Sequence, residues 1–317
     1  MDITTFTPKK SLVSGSIILI ILILLATLPL CSPGYTVVLL SSILMYIVLT
    51  VSWVMFSGPT GYISLASAAF FGVGVYSSAL LGFMLPLPAV IGIGGLASFC
   101  LALLVGVLTL RLRGVYFTIF TFGLGEFIRH LLLFWELTVT GRRGRLVIQV
   151  DSRTVYYVML GIFVILMLTA YFIKHSKYGL AQQSIGQEEE AAAHTGINVT
   201  MVKVITFAIS AFFMGAAGAI MATKWTYIDP YIAFNPLYSF MPVLIAIFGG
   251  MEQLYGPIVG AAIFTYLEEF LITRFPYYYM LIFGIIMVIA ILYLPNGLVG
   301  LIQKWQKREK MGSSEKP

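Results

Sequence analysis

The chain of 317 residues is 59% hydrophobic and 10% charged, with a mean hydropathy of +0.96. Those proportions exclude a soluble globular domain, for which roughly 45–50% apolar and about 25% charged residues are typical. The net charge of +6, nineteen Lys and Arg against thirteen Asp and Glu, reads as the basic bias of membrane loops rather than as a nucleic-acid surface.

A hydrocarbon core about 30 Å thick needs about 20 apolar residues per helical span. Ten apolar runs follow one another, at 12–31, 35–56, 62–83, 87–110, 115–135, 155–173, 202–223, 237–249, 258–272 and 278–294. The first follows Lys9 and Lys10 as a signal peptide would. It is long for one, and Leu28-Pro29-Leu30-Cys31 lacks the small residues of a cleavage site, so an uncleaved helix is expected. The eighth and ninth are short and interrupted by Gly249-Gly250 and Gly256-Pro257, which makes them candidates for re-entrant or discontinuous helices. The expected fold is therefore an all-α polytopic membrane protein of about ten transmembrane or re-entrant helices. A cytoplasmic segment at 1–10 precedes a membrane domain at 11–303, and a basic cytoplasmic tail covers 304–317. Cys31 and Cys100 lie in apolar runs and read as small core residues, with no disulfide or metal framework implied.

With the N-terminus inside, the cytoplasmic side receives Lys9, Lys10, Arg111, Arg113, Lys174, Lys177, Lys203, Lys304, Lys307, Arg308, Lys310 and Lys316, twelve of the nineteen basic residues. The outer side receives six: Arg142, Arg143, Arg145, Arg153, Lys224 and Arg274. The asymmetry supports that orientation and places both termini inside. Four of the outer arginines crowd one loop. They read as a solvated loop, as a dock for acidic groups of a partner, or as an entrance screen for an anion.

Three further features carry chemistry. The loop at 179–197 holds Glu188, Glu189 and Glu190, and a short helix is expected from Gln187 to His194 with Gly196 as its stop. Such a helix is either a solvated connection or the docking element that a transporter offers a motor. The stretch from Gly58 to Gly82 is rich in Gly, Ala and Ser. That pattern fits close helix packing, or a pathway lining in which Gly58-Pro59-Thr60-Gly61 unwinds the helix; the breaks near 249–257 suggest an inverted counterpart. Finally, Glu126, Arg129 and His130 lie on the fifth run and Glu268 and Glu269 on the ninth. Charge within a bilayer is costly and marks candidate sites, although Glu126 also stands three and four residues from groups that neutralise it. The aromatics Trp225, Tyr227, Tyr231 and Phe234 around Asp229 are expected to anchor an outer loop at the interface.

Several segments, in order, resemble the permease subunits of bacterial branched-chain amino acid ABC importers. They are Gly61-Tyr62-Ile63-Ser64-Leu65-Ala66-Ser67-Ala68-Ala69-Phe70-Phe71-Gly72, Arg111-Leu112-Arg113-Gly114-Val115-Tyr116-Phe117 with Gly125-Glu126, and Ser184-Ile185-Gly186-Gln187-Glu188-Glu189-Glu190-Ala191-Ala192-Ala193-His194-Thr195-Gly196-Ile197. Tyr255-Gly256-Pro257-Ile258-Val259-Gly260 and Leu294-Pro295-Asn296-Gly297-Leu298 complete the series. The chain departs from the family pattern at Gly186, where arginine is usual, at Ser67, where histidine is usual, and at Gly141-Arg142-Arg143-Gly144-Arg145, where Gly-Gly-Pro-Asn-Gly is common.

The resemblance implies that Ser184, Gln187, Glu188, Glu189, Glu190, Ala191, Ala192 and Gly196 couple the chain to an ATPase. It also implies pathway roles for Gly61, Ser64, Ser67, Phe70, Tyr116 and Glu126, and docking of a periplasmic binding protein at Arg142, Arg143 and Arg145. The partners implied are a second permease, two ATP-binding subunits, the binding protein and membrane lipid, in the bacterial inner membrane. ATP and Mg would sit on the partner chains, since no Gly-x-x-x-x-Gly-Lys-Ser/Thr loop is present here. An ion-coupled secondary transporter, with Glu126 relaying protons, and a permease for urea, amides or small carboxylates are the alternatives.

Overall fold

The computed structural model describes residues 22–30, 32–110, 112, 114–251, 255–293 and 297. The expected cytoplasmic ends at 1–10 and 304–317, and Cys31, lie outside the described residues. A helical segment at 22–30 leads to α1 (Gly34–Thr60), α2 (Ser67–Leu81), α3 (Leu87–Thr109) and α4 (Val115–Trp135), which a π-helical turn at Glu136–Thr140 continues. Next come β1 (Arg145–Leu146), α5 (Ser152–Lys174), α6 (Lys177–Gln187), α7 (Glu189–His194) and α8 (Val199–Met221), with a 3-10 turn at Ala222–Lys224. The remainder is β2 (Tyr227–Ile228), α9 (Pro230–Ala233), α10 (Leu237–Gly249), α11 (Tyr255–Arg274) and α12 (Tyr279–Tyr293). Seven helical stretches among the described residues are long and apolar enough to cross a bilayer. The chain is an all-α polytopic membrane protein.

Two apolar runs differ from their sequence reading. The run at 62–83 is not one span: residues 61–66 are non-helical, and helix resumes only at Ser67. The fifteen residues of α2 rise about 22 Å, short of a full bilayer core. Conversely, the ninth run is a continuous twenty-residue helix, because Pro257 falls in the first turn of α11, where the missing N–H leaves no gap in the helical ladder.

Long-range contacts show that the helices alternate in direction between two ends. At one end Thr60 lies against Gly186 of α6, Lys203 pairs with Glu189 of α7, and the Leu110 carbonyl accepts from Lys203. At the other, Tyr35 donates to Glu269 (2.7 Å), and Lys224 donates to the Val38 carbonyl and Ser42. The Gly249-Gly250 break also sits at the α6–α7 end, where Met251 approaches Gly58. The two interruptions therefore share an end of the bundle and are not inverted counterparts of each other, because inversion would carry one to the opposite end.

The core forms where α8 packs along α3 and α2, with α1 buried between α5, α8 and α11. Gly74 and Gly215 set the closeness of that packing: a Cβ on Gly74 would overlap the Gly215 carbonyl. On α3 the inward stripe is Val90, Gly94, Ser98, Ala102 and Val105. Cys100 lies two residues off that stripe and is exposed, not a core residue as expected, because a two-residue step turns a side chain to the far face of a helix.

Candidate functional site

The α6–α7 hairpin is built from short polar helices held by a small apolar seam. Ser176 caps α6 by accepting from the Tyr178 N–H (3.2 Å). The single helix expected from Gln187 to His194 is instead two helices, since α6 runs on to Gln187 and the chain is extended at Glu188 (φ −157°, ψ 110°). Ile185, Ala192 and Val202 then pack together, folding the hairpin onto the start of α8, and Gly196 ends the turn at φ +86°. Of the residues assigned to coupling, Gln187, Glu188, Glu190, Ala191 and Gly196 are exposed, Ser184 and Glu189 are half-buried, and Ala192 is buried.

Beneath this hairpin lies the break after α1. The buried Gln182 donates to the Met55 carbonyl (3.3 Å), and a Cβ on Gly186 would overlap the Pro59 carbonyl. Glycine at 186 thus permits α6 to lie directly on the backbone of Pro59. A cavity of about 200 Å³ remains beside this contact, lined by residues that include Gly58, Pro59, Lys174, Gln182, Gln183 and Met251.

The same end carries a charge that sequence reading assigned to a loop. Lys203, in the second turn of α8, is only 1% exposed. Its Nζ pairs with Glu189 (2.9 Å) and donates to the Leu110 carbonyl (3.0 Å) and the Tyr62 hydroxyl (3.1 Å), while Tyr62 donates to the other oxygen of Glu189. The ammonium also lies 4.4 Å from the Tyr62 ring centroid. A buried charge is tolerable only with partners of this kind, and removing one partner of such a pair costs about 3–5 kcal/mol. The only signal in the sequence was a lysine at the second position of the apolar run at 202–223.

Residues 61–66 are irregular rather than helical, and side chains from three helices bond to their backbone. Trp53 donates to the Ser64 carbonyl (2.7 Å), Thr118 to that of Ile63 (2.9 Å) and Ser239 to that of Leu65 (2.6 Å), while Thr121 accepts from the Leu65 N–H (3.0 Å). Non-helical backbone at membrane depth requires such partners. Gly61, at φ +72°, starts the segment, and Ser64, Ser67 and Phe70 line a small void of about 10 Å³ with Ser57 and Ser210. Tyr116 and Glu126 are not brought to it: Tyr116 is 76% exposed on α4, and Glu126 is paired with Arg129, with His130 at 4.0 Å.

At the opposite end two of the four crowded arginines, Arg143 and Arg145, are tied into the fold. Arg143 pairs with Asp229 (2.5 Å), which raises its pKa further, and its carbonyl accepts from Tyr227. Arg145 faces the buried Glu136 (3.7 Å), which also accepts from Tyr76 and the Gly144 N–H. Strands β1 and β2 pair antiparallel, with Arg145 opposite Ile228. Among the described residues Arg142 has no ion pair. Phe234, expected at the interface, is instead buried against Gly72 and Tyr76, because a glycine at 72 leaves room for its ring.

Comparison with known proteins places this arrangement. Residues 35–291 match the model of the branched-chain amino acid transport system permease component family. The chain belongs to this family. It is an ABC-importer permease subunit, a transport component rather than an enzyme. It is 28% identical over 96% of its length to the high-affinity branched-chain amino acid transport system permease protein LivM of Escherichia coli (strain K12), covering 79% of that protein. Its identity to LivM of Salmonella typhimurium is 27%, over 86% of this chain and 71% of the relative. A shorter match, 25% identical over 44% of each chain, is to LivH of Escherichia coli (strain K12), named as a permease protein of the same kind of system. No solved structure matches the chain. The matched residues of the family include the break at 61–66 and the whole α6–α7 hairpin.

Proposed function

We propose that the chain is one half of the membrane pathway of a bacterial inner-membrane importer for a branched-chain or comparably apolar amino acid, powered by ATP-binding partner subunits. The observation that carries this reading is the α6–α7 hairpin. It is clamped to the break after α1, yet it presents Gln187, Glu188, Glu190 and His194 outward. A secondary carrier has no need of such an element. The hairpin end is cytoplasmic in this reading, as the excess of Lys and Arg assigned to that side favours. The arginine-bearing end then faces the periplasm and a substrate-binding protein.

A second permease, of the kind named LivH among the relatives, covers α4. That span is the least buried of the seven, at 17% of its apolar window, and it carries Glu126, Arg129 and the exposed His130. Such groups cost about 2.5–3.5 kcal/mol each at a helix centre facing lipid, so a protein neighbour is the favourable cover. Pairing of Glu126 with Arg129 also weakens the proton-relay alternative, because a relay needs a carboxyl free to exchange its proton.

The test is reconstitution with a second permease, ATP-binding subunits and a binding protein from the same organism. ATP-driven uptake of leucine or isoleucine into proteoliposomes is expected; uptake that follows an ion gradient and ignores ATP overturns the assignment. In the same vesicles Glu190→Lys is expected to leave ATP hydrolysis measurable while uptake collapses. Full coupled uptake by that variant would remove α7 from the motor contact.

A further inference from the structure

We propose that Tyr62, Glu189 and Lys203 form the transmission joint that carries movement of the motor-facing hairpin to the non-helical segment at 61–66; this rests on the permease reading above. Four pieces of backbone converge on one ammonium group. Glu189 opens α7, Lys203 belongs to α8, the Leu110 carbonyl terminates α3, and Tyr62 is the second residue of the non-helical segment. Tyr62 closes the arrangement by donating to Glu189.

Three observations separate this joint from ordinary packing. First, it is polar and buried. A well-packed apolar pair would hold α7 to α8 equally well or better, since desolvation offsets most of the attraction within a buried ion pair. A charged joint instead breaks and reforms as a unit with defined geometry. Second, the segment is tied to neighbouring helices from the residue after Tyr62 onward, Ile63 by Thr118, Ser64 by Trp53 and Leu65 by Thr121 and Ser239, with Gly61 at φ +72° on its near side. A displacement of Tyr62 therefore passes directly to backbone bonded to α1, α4 and α10. Third, Gly186 and Gln182 seat α6 on the backbone of Pro59 and Met55, so the hairpin touches the break on both sides. Displacing α7 must therefore either pull Tyr62 or break its bonds to Glu189 and Lys203. Energetic coupling is demonstrated by a cycle of variants rather than by adjacency, and the joint is small enough for one.

Tyr62→Phe removes one hydroxyl and keeps the ring against Phe117 (5.5 Å between centroids). Lys203→Met with Glu189→Met removes both charges together and avoids a buried unpaired charge. In the reconstituted complex each is expected to retain ATP hydrolysis within about twofold, while amino acid taken up per ATP falls by about fivefold or more. Adding Tyr62→Phe to the double variant is expected to cost little further, because the three groups act as one.

A readout independent of transport is thiol labelling at Ile63→Cys, which lies on the segment and is exposed, with Cys31 and Cys100 replaced by Ala. Its labelling rate is expected to change on nucleotide binding in the unaltered joint and to become insensitive to nucleotide in Tyr62→Phe. An unchanged ratio of uptake to hydrolysis, together with nucleotide-sensitive labelling in Tyr62→Phe, overturns the joint while leaving the permease reading intact. If the double variant is absent from membranes, Tyr62→Phe decides alone. Absence of ATP-driven uptake by the unaltered complex overturns both readings.

Discussion

At the scale of single residues, positions that look alike in the sequence have opposite meanings in the fold. Arg142 and Arg143 are neighbours, yet Arg143 binds Asp229 and supports the β1–β2 cap through its carbonyl, whereas Arg142 has no ion pair among the described residues. Arg143→Glu sets two carboxylates against each other and is expected to lower the amount of folded protein recovered from membranes. Arg142→Glu is expected to leave recovery unchanged and to weaken stimulation of ATP hydrolysis by the loaded binding protein. Equal recovery of both variants would show that the Asp229 pair is dispensable. Gly186 is a second such case. The family pattern carries arginine there, but here even a methyl group overlaps the Pro59 carbonyl. Gly186→Ala is expected to destabilise by about 1–3 kcal/mol, the usual cost of overpacking, measurable as earlier thermal unfolding in detergent. Unfolding at the wild-type temperature would mean that α6 can lift from α1 without penalty.

Among the elements, the least regular one is the most constrained. The segment at 61–66 makes no helix, and its backbone groups depend on Trp53, Thr118, Thr121 and Ser239. Trp53→Phe keeps an aromatic ring and deletes the indole donor, leaving the Ser64 carbonyl unpaired at a cost of about 1–3 kcal/mol. Reduced thermal stability of the purified subunit is therefore expected. No change would indicate that another donor, such as water, replaces the indole. The breakers were plain in the sequence as Gly58-Pro59-Thr60-Gly61. Where helix would resume was not, because Tyr62 to Ala66 are as apolar as a helix and their conformation is set by donors distant in sequence. The α6–α7 hairpin repeats the lesson. Its polarity and its stop at Gly196 were visible, whereas the kink at Glu188 arises from the seating of Ile185 and Ala192 against Val202.

For the molecule as a whole, long-range contacts gather at two ends, Tyr35 with Glu269 at one and Lys203 with Glu189 at the other, and the sorting of basic residues assigns those ends to sides of the membrane. That sorting treated every lysine and arginine as a free loop charge. The fold consumes several of them internally: Lys203 in the joint, Arg143 and Arg145 in the outer cap, Arg129 along α4. By itself the sequence determined that the chain is a multi-pass helical membrane protein, the rough extent of most described spans, and the family, because composition and local periodicity record burial in lipid and ordered motifs record ancestry. Tertiary structure alone decided which charges remain available to partners, how many of the apolar runs are whole spans among the described residues, and where the chain leaves helix for irregular backbone. It also brought Tyr62, Leu110, Glu189 and Lys203 to one point. Those outcomes depend on groups as far apart as 174 residues, as Ser239 is from Leu65, and no local pattern records such pairings.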